Sequence, residues 1–275
     1  YPGAASAQAT LAGLAGRQGQ AEQAIAAGQA SLELAPQSVA TRVGLAQALA
    51  GQGRFDEADQ VVQQGLALPA GQAELLTAAA DLLAAQSAEG DMALQAIERY
   101  QEALQANPAH WPAAASLAQL FLARGQAGRA WQTVDAAVQQ WPENYQLHAL
   151  AGDALRQMGR HQEALAAYRQ AIDLAPAPLF SADPINATLA RLLTRQGEAQ
   201  LEAHAFGPAQ ESFDQALRLA ADQVDAHIGL ARLNTILAQR ASGAATGSTP
   251  GQQAAPVAAD QVRFRRASDA IQAAL

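Results

Sequence analysis

The chain has 275 residues, half of them hydrophobic but only 5% aromatic, and its formal net charge is -8. An acidic chain lacks the basic face that nucleic acids and anionic membranes require, and the absence of cysteine excludes disulfides, thiolate catalysis and zinc–cysteine sites. No run of about 20 apolar residues occurs, so the sequence predicts no membrane span in this chain. Alanine and leucine dominate the apolar content, which favours helices over strands.

The sequence repeats with a period of about 34 residues, and the repeat is clearest at one position that is occupied by alanine. The residues that carry it are Ala24, Ala58, Ala96, Ala130, Ala164 and Ala209. A glycine and a proline recur with nearly the same spacing. Each unit contains an amphipathic helix, a glycine turn, a second amphipathic helix and a proline or small polar stop. The pattern therefore predicts repeated helix-turn-helix hairpins.

This register sets the predicted boundaries of the first five repeats within residues 1–178. The repeats occupy 5–38, 39–72, 73–110, 111–144 and 145–178. The third repeat has four extra residues around 85–93, which predicts a longer first helix or a wider hairpin loop. Residues 179–189 are predicted to be an insertion or hinge. Asp183 and Pro184 nevertheless indicate an N-cap and the first residue of a helix that begins early.

The C-terminal part departs from the period. Residues 190–240 are predicted to hold a sixth repeat, which lacks the usual turn glycine, and the first helix of a seventh. Residues 241–259 are rich in Gly, Ser, Pro and Ala and are predicted to be a flexible linker. Residues 260–275 resume a helical pattern as the start of a further helix. Because no polar end-cap is visible, we expect the natural protein to continue.

The repeated pattern resembles the tetratricopeptide repeat (TPR). Residues 145–178 match all six positions that this family favours. The matching residues are Gly152, Gly159, Ala164, Tyr168, Ala171 and Pro176. The resemblance implies an all-α fold, a right-handed α-solenoid of about six to seven helix-turn-helix repeats. It also implies a non-catalytic protein that binds partner proteins in a groove.

In this family, positions 2, 5, 9, 12 and 13 of the first helices line the groove. The resemblance therefore implies a partner-binding set of Gln47, Asp81, Gln119, Leu122, Asp153, Arg156 and Glu198. Asp81, Asp153 and Glu198 share position 9, so we expect an acidic line that accepts an extended or helical segment with basic and small apolar residues. The alternative is that these acids are only a solvated face.

The sequence offers no support for a catalytic interpretation. No pair of the five histidines has the i, i+4 spacing of a zinc site, and neither an H-E-x-x-H motif nor a glycine-rich phosphate loop occurs. We therefore expect no catalytic residues, no metal site and no cofactor. Trp111 and Trp141 flank repeat boundaries, where they either pack adjacent hairpins together or anchor a partner.

The alanine-rich composition, the absent cysteines and the missing start methionine are typical of bacterial envelope scaffolds. Residues 192–233 are similar to the part of the periplasmic cellulose synthase C subunit where an over-long helix joins two repeat blocks. This resemblance implies a periplasmic role in exopolysaccharide synthesis and export, with a protein, cell-wall glycan or polysaccharide partner. The alternatives are a cytoplasmic adaptor or regulatory assembly factor, and the targeting arm of an enzyme that continues beyond Leu275.

Overall fold

The computed structural model describes residues 21–87, 89–176 and 184–246. All regular secondary structure in these ranges is α-helical, and the chain divides into two compact units, Tyr1–Pro142 and Glu143–Leu275. The predicted all-α class of helix-turn-helix repeats is therefore confirmed. The predicted first helix of repeat 1, before residue 21, lies outside the described residues.

Unit 1 has seven helices in its described part. They are α1 (Ala21–Leu34), α2 (Val39–Gly51), α3 (Phe55–Leu66), α4 (Gln72–Gln86), α5 (Gly90–Ala106), α6 (Trp111–Ala123) and α7 (Ala127–Gln140). Each helix packs on the next one along the chain, and the first helices of successive repeats also pack together, α2 on α4 and α4 on α6. The first helices thus form one continuous layer within this unit.

Unit 2 repeats the arrangement with five helices in its described part. They are α8 (Tyr145–Gln157), α9 (His161–Leu174), α10 (Pro184–Glu202), α11 (Phe206–Leu219) and α12 (Val224–Thr246). The first helices again make contact, α8 with α10 and α10 with α12. Asn144 is the N-cap of α8, because its side chain accepts hydrogen bonds from the backbone N–H groups of Gln146 and Leu147.

Glycines allow the two helices of a repeat to approach an aromatic ring. Tyr168 is fully buried against Gly152, where an added Cβ would lie 2.5 Å from the ring. Phe213 is equally buried between Gly197 and Gly229, where added Cβ atoms would lie 2.7 and 2.4 Å away. These distances are too short for a methyl group. The small residues of the sequence pattern are therefore required by close helix packing.

The extra residues of repeat 3 lengthen both of its helices. α4 has 15 residues and α5 has 17, whereas α6 and α7 have 13 and 14. α4 ends at Gln86 and α5 begins at Gly90, so the connection is as short as the one between α2 and α3. The alternative of a wider loop at 85–93 is wrong, because the extra residues extend the two helices and leave the connection between them short.

The predicted hinge at 179–189 needs a correction. α10 begins at Pro184 and has 19 residues, so 184–189 is helical and the expectation of an early helix start is confirmed. Proline suits the first helical position because its missing N–H would have no partner there. Asp183 and the remainder of the predicted hinge lie outside the described residues.

The turn between the two helices of repeat 6 contains no glycine. His204 takes a left-handed backbone conformation with φ of 60°, at the place where Gly159 has φ of 74° and Gly125 has φ of 68°. Histidine tolerates this region better than most side chains. Its ring packs on Phe206 with 5.9 Å between the ring centroids, which holds the turn against the start of α11.

The predicted linker begins later than expected. α12 continues to Thr246, so residues 241–246 are helical. Three of these six residues are alanine, and the helical preference of alanine outweighs the Ser and Gly between them. The rest of the predicted linker and the further helix predicted at 260–275 lie outside the described residues.

The Gly152→Ala substitution tests the close packing of Tyr168. The added methyl group would overlap a fully buried ring, so we expect the free energy of unfolding to fall by about 1–3 kcal/mol. Urea unfolding followed by circular dichroism measures it. Gly128→Ala is the matched control, since no atom lies within 4 Å of an added Cβ at this position in α7. The control should be unchanged or more stable by up to about 1 kcal/mol. Equal stability of the two variants would contradict the packing argument.

Candidate functional site

Four of the predicted groove residues lie on the first helices of unit 1. Gln47 on α2 and Gln119 on α6 are exposed, and Leu122 on α6 is half-buried. Asp81 on α4 is also half-buried. We call the side chains at positions 2, 5, 9, 12 and 13 of the first helices the first-helix surface, and treat it separately in each unit. Whether these residues bind a partner stays a prediction.

Asp81 is part of the packing between the helices of its own repeat. Its carboxylate accepts a 2.6 Å hydrogen bond from the Tyr100 hydroxyl, and Ser116 on α6 also hydrogen-bonds to it. Burial raises the pKa of Asp81 above its usual value, while these two hydrogen bonds and nearby His110 oppose the rise. Position 9 therefore supports the buried tyrosine as well as facing the surface.

A depression of about 470 Å³ opens on the first-helix surface of unit 1, between α2 and α4. Its lining residues are Val39, Ala40, Val43, Gly44, Gln47, Gly71 and Glu74. Gln47 belongs to the predicted partner-binding set, whereas Glu74, which is exposed, does not. Glu74 occupies position 2 of repeat 3, a position that the family pattern assigns to the groove, so the signal for it was present.

Asp153 in unit 2 has both a tyrosine and an arginine as partners. Its carboxylate accepts a 2.7 Å hydrogen bond from Tyr168 and lies 3.1 Å from an Arg195 nitrogen on α10. Burial raises the pKa of Asp153, and Arg195 and Tyr168 oppose the rise. This acid is therefore compensated within the protein.

Arg156 joins the first helices of unit 2. Its guanidinium lies 2.8 Å from Glu202 and 3.7 Å from Glu198, both on α10. His161 adds a contact of 3.6 Å from Nδ1 to Glu202. Burial raises the pKa of Glu198, and the charges of Arg156 and Arg232 oppose the rise. The predicted groove residues Arg156 and Glu198 are thus brought together, but as partners of each other.

The three acids at position 9 are chemically different. Asp81 and Asp153 each accept a hydrogen bond from the tyrosine of their own repeat, whereas repeat 6 has Phe213 at that place and offers Glu198 no hydroxyl. Glu198 and Asp153 pair with arginines of unit 2. The sequence predicted the shared position of the acids but not these different partners.

The tryptophans at the repeat boundary favour the packing interpretation. The Trp141 indole N–H donates a 2.8 Å hydrogen bond to the Ala109 carbonyl, although 43% of this side chain remains exposed. Trp111 is half-buried as the first residue of α6. The hydrogen bond ties the end of α7 to the turn before α6, so Trp141 closes repeat 4.

The described residues hold no cluster of three or more His, Asp or Glu side chains that could bind a metal ion. Among the described helices, none combines the length and the apolar character needed to cross a membrane.

Asp81→Asn tests the cost of burying the carboxylate. The folded-state pKa lies above the usual value of 3.8, so the ionised acid destabilises the fold, and stability rises as the pH falls through the folded-state pKa. Asparagine can still accept the Tyr100 hydrogen bond but never ionises. We expect the melting temperature of the variant to exceed that of the parent at pH 7, with a difference that shrinks towards pH 4. The control is Asp135→Asn. Asp135 is exposed, so this substitution removes no burial cost and should give no comparable gain in melting temperature at pH 7. A difference at Asp81 that grows as the pH falls would contradict this account.

Arg156→Gln tests the ion pairs of unit 2. Glu198 and Glu202 would remain half-buried without their cation, so we expect unfolding in urea to require about 1–2 kcal/mol less free energy. The matched control is Arg99→Gln, which removes an exposed ion pair with Glu102 at 2.7 Å and should cost less than about 0.5 kcal/mol. Similar losses in both variants would show that burial adds nothing to the Arg156 pairs.

Comparisons with known proteins support the repeat architecture. The family models described as "Tetratricopeptide repeat" match residues 17–82 and 145–178. No curated protein sequence matches this chain. Among solved structures, PilF of Pseudomonas aeruginosa is 18% identical, with a TM-score of 0.60 over 83% of this chain and 97% of that one.

Two further structures share the fold. A chain of the APC/C Cut9–Hcn1 hetero-tetramer is 17% identical, with a TM-score of 0.64 over 85% of this chain and 43% of that one. A thermophilic TPR protein of Thermus thermophilus is 19% identical, with a TM-score of 0.58 over 72% of this chain and all of that one. One repeat model matches in each unit, at residues 17–82 and 145–178, and similar hairpins recur through the described helices, so each unit of the chain contains tetratricopeptide repeats.

Proposed function

We propose that this chain is a non-catalytic scaffold that holds a protein partner on its first-helix surface. The observation that carries the proposal is the open depression between α2 and α4, whose lining includes groove positions of two successive repeats. The largest buried side chains are occupied in packing the repeats together, whereas Gln47, Glu74 and Gln119 are exposed. Layers of helices that expose such a surface are suited to binding an extended or helical segment.

A protein is the partner class that the family supports. TPR proteins bind protein partners, and one similar structure is a hetero-tetramer in which Cut9 is assembled with Hcn1. That likeness concerns the fold and supports only the class of interaction. No observation on the described residues favours a polysaccharide or cell-wall glycan over a protein.

We propose the bacterial periplasm as the setting, in an envelope assembly such as cellulose-type exopolysaccharide synthesis and export. The support is compositional, since the chain is rich in alanine and lacks cysteine. The similarity of residues 192–233 to the cellulose synthase C subunit points the same way. A cytoplasmic adaptor and the targeting arm of a larger enzyme are the competing proposals, and a signal peptide upstream of Tyr1 in the full gene would favour the periplasm.

Affinity capture with surface variants tests the scaffold proposal. The double variant Gln47→Arg/Gln119→Arg places two large cations on the exposed first-helix surface of unit 1. We expect it to lose at least about tenfold of the captured partner relative to the parent, because bulk and charge would disrupt the contact. Capture from separate envelope and soluble fractions of the source organism, read by mass spectrometry, also reports the compartment.

The control is Gln64→Arg/Gln101→Arg, which adds the same charge at exposed positions of the second helices α3 and α5. It should capture the partner as the parent does. If the control loses the partner and the first-helix variant keeps it, the binding surface lies on the second helices and the proposal is wrong.

A further inference from the structure

We infer that the depression between α2 and α4 selects a partner segment in which a small aliphatic side chain lies next to a lysine or arginine. The inference rests on the proposed function, because it names the chemistry of the partner at one part of the first-helix surface. It depends on the shape of the depression and on the charges beside it.

The floor of the depression is apolar and already formed. Val39 and Val43 are half-buried there, and Gly44 leaves an open space, since no atom lies within 4 Å of a Cβ added at this position. Gly71 forms one wall and packs so tightly that an added Cβ would come 2.5 Å from Val39. A short stretch of chain with small aliphatic side chains can cover this floor without moving the helices.

The charge beside the depression is negative. Glu74 lies in its lining, and Asp81 follows seven residues later on the same face of α4. Within the described residues, no ion pair joins either carboxylate to an arginine of the protein. His110 lies near both acids, but burial lowers its pKa below the usual value of 6.5 despite the opposing effect of the two carboxylates, and this disfavours the charged imidazole that would compensate them. A cation of the partner would therefore gain an attraction that the protein itself does not supply.

The ion pairs of unit 2 explain why the inference concerns unit 1. In unit 2, the acids at position 9 of the first helices already have cationic partners, Arg195 for Asp153 and Arg156 for Glu198. A basic segment would have to displace these arginines before it could pair. The sequence places position-9 acids in both units, but among the described residues it is the acids of α4 that lie beside an apolar floor without an ion pair to an arginine.

Selection from a displayed library of random peptides of about 12 residues tests the inference on the full 275-residue chain. Peptides of this length span about 40 Å when extended, which exceeds the size of the depression. We expect the enriched peptides to share Ala, Val or Ile within two residues of Lys or Arg. Fluorescence anisotropy with one labelled consensus peptide then measures the affinity for each variant.

Two variants separate shape from charge. Gly44→Leu fills the depression, yet it should fold normally because the added side chain meets no protein atom and leucine favours helix more than glycine. We expect it to weaken peptide binding at least about tenfold.

Glu74→Gln should weaken binding about three- to tenfold at low salt, with a smaller effect at high salt. The matched control Gly128→Leu, on α7 and away from the depression, should bind within about twofold of the parent, and circular dichroism melts should show that all three variants are folded.

The inference is overturned if the enriched peptides lack the aliphatic–basic pair, if no consensus emerges, or if Gly44→Leu binds the peptide as the parent does. The proposed function can survive that result. Peptides that keep binding Gly44→Leu but are lost on Gln119→Arg would place the partner elsewhere on the first-helix surface. If neither peptides nor the captured partner respond to any first-helix variant, both proposals fail.

Discussion

The close approach of a buried side chain to a glycine backbone sets the helix spacing on which the rest of the structure depends. In unit 2, Tyr168 against Gly152, and Phe213 between Gly197 and Gly229, leave no room for a methyl group. In unit 1, Leu75 approaches Gly65 in the same way, since an added Cβ would lie 2.6 Å from its side chain. Within each unit, this close packing makes the side chains at the groove positions of successive first helices neighbours. The surface proposed for binding on unit 1 is a consequence of that packing.

The surface and the core share residues at two places. Asp81 and Asp153 face the first-helix surface, yet their carboxylates accept hydrogen bonds from the buried tyrosines at 2.6 and 2.7 Å. Their raised pKa values reflect the burial that this role demands. In repeat 6 the acid does not support the buried ring. Phe213 has no hydroxyl that needs an acceptor, and Glu198 forms an ion pair with Arg156 instead. Equal positions in the repeat therefore carry unequal chemistry.

The sequence predicted what depends on local chemistry and on the repeat period. Ala164, Tyr168 and Pro176 indicated a hairpin. Pro184 indicated the start of α10, because proline is well tolerated only in the first turn of a helix. The sequence did not predict the pairing of Tyr168 with Asp153 or of Arg156 with Glu202, because these pairs join different helices and depend on side-chain directions set by packing. Composition predicts a linker from residue 241, although residues 241–246 are helical, because composition alone does not show how far alanine extends a helix.

Because position 9 contributes both to the surface and to the packing of the core, it limits how such a protein can acquire a new partner. Replacing Asp81 or Asp153 by a residue that cannot accept a hydrogen bond would alter the recognition surface and would also leave a buried hydroxyl without its acceptor, so selection for a new specificity would act against selection for folding. Glu74 is exposed and Gly44 borders open space, and a change at either position alters the surface without disturbing the core. Sequence divergence among descendants of this scaffold should therefore accumulate first at positions 2 and 6 of the first helices.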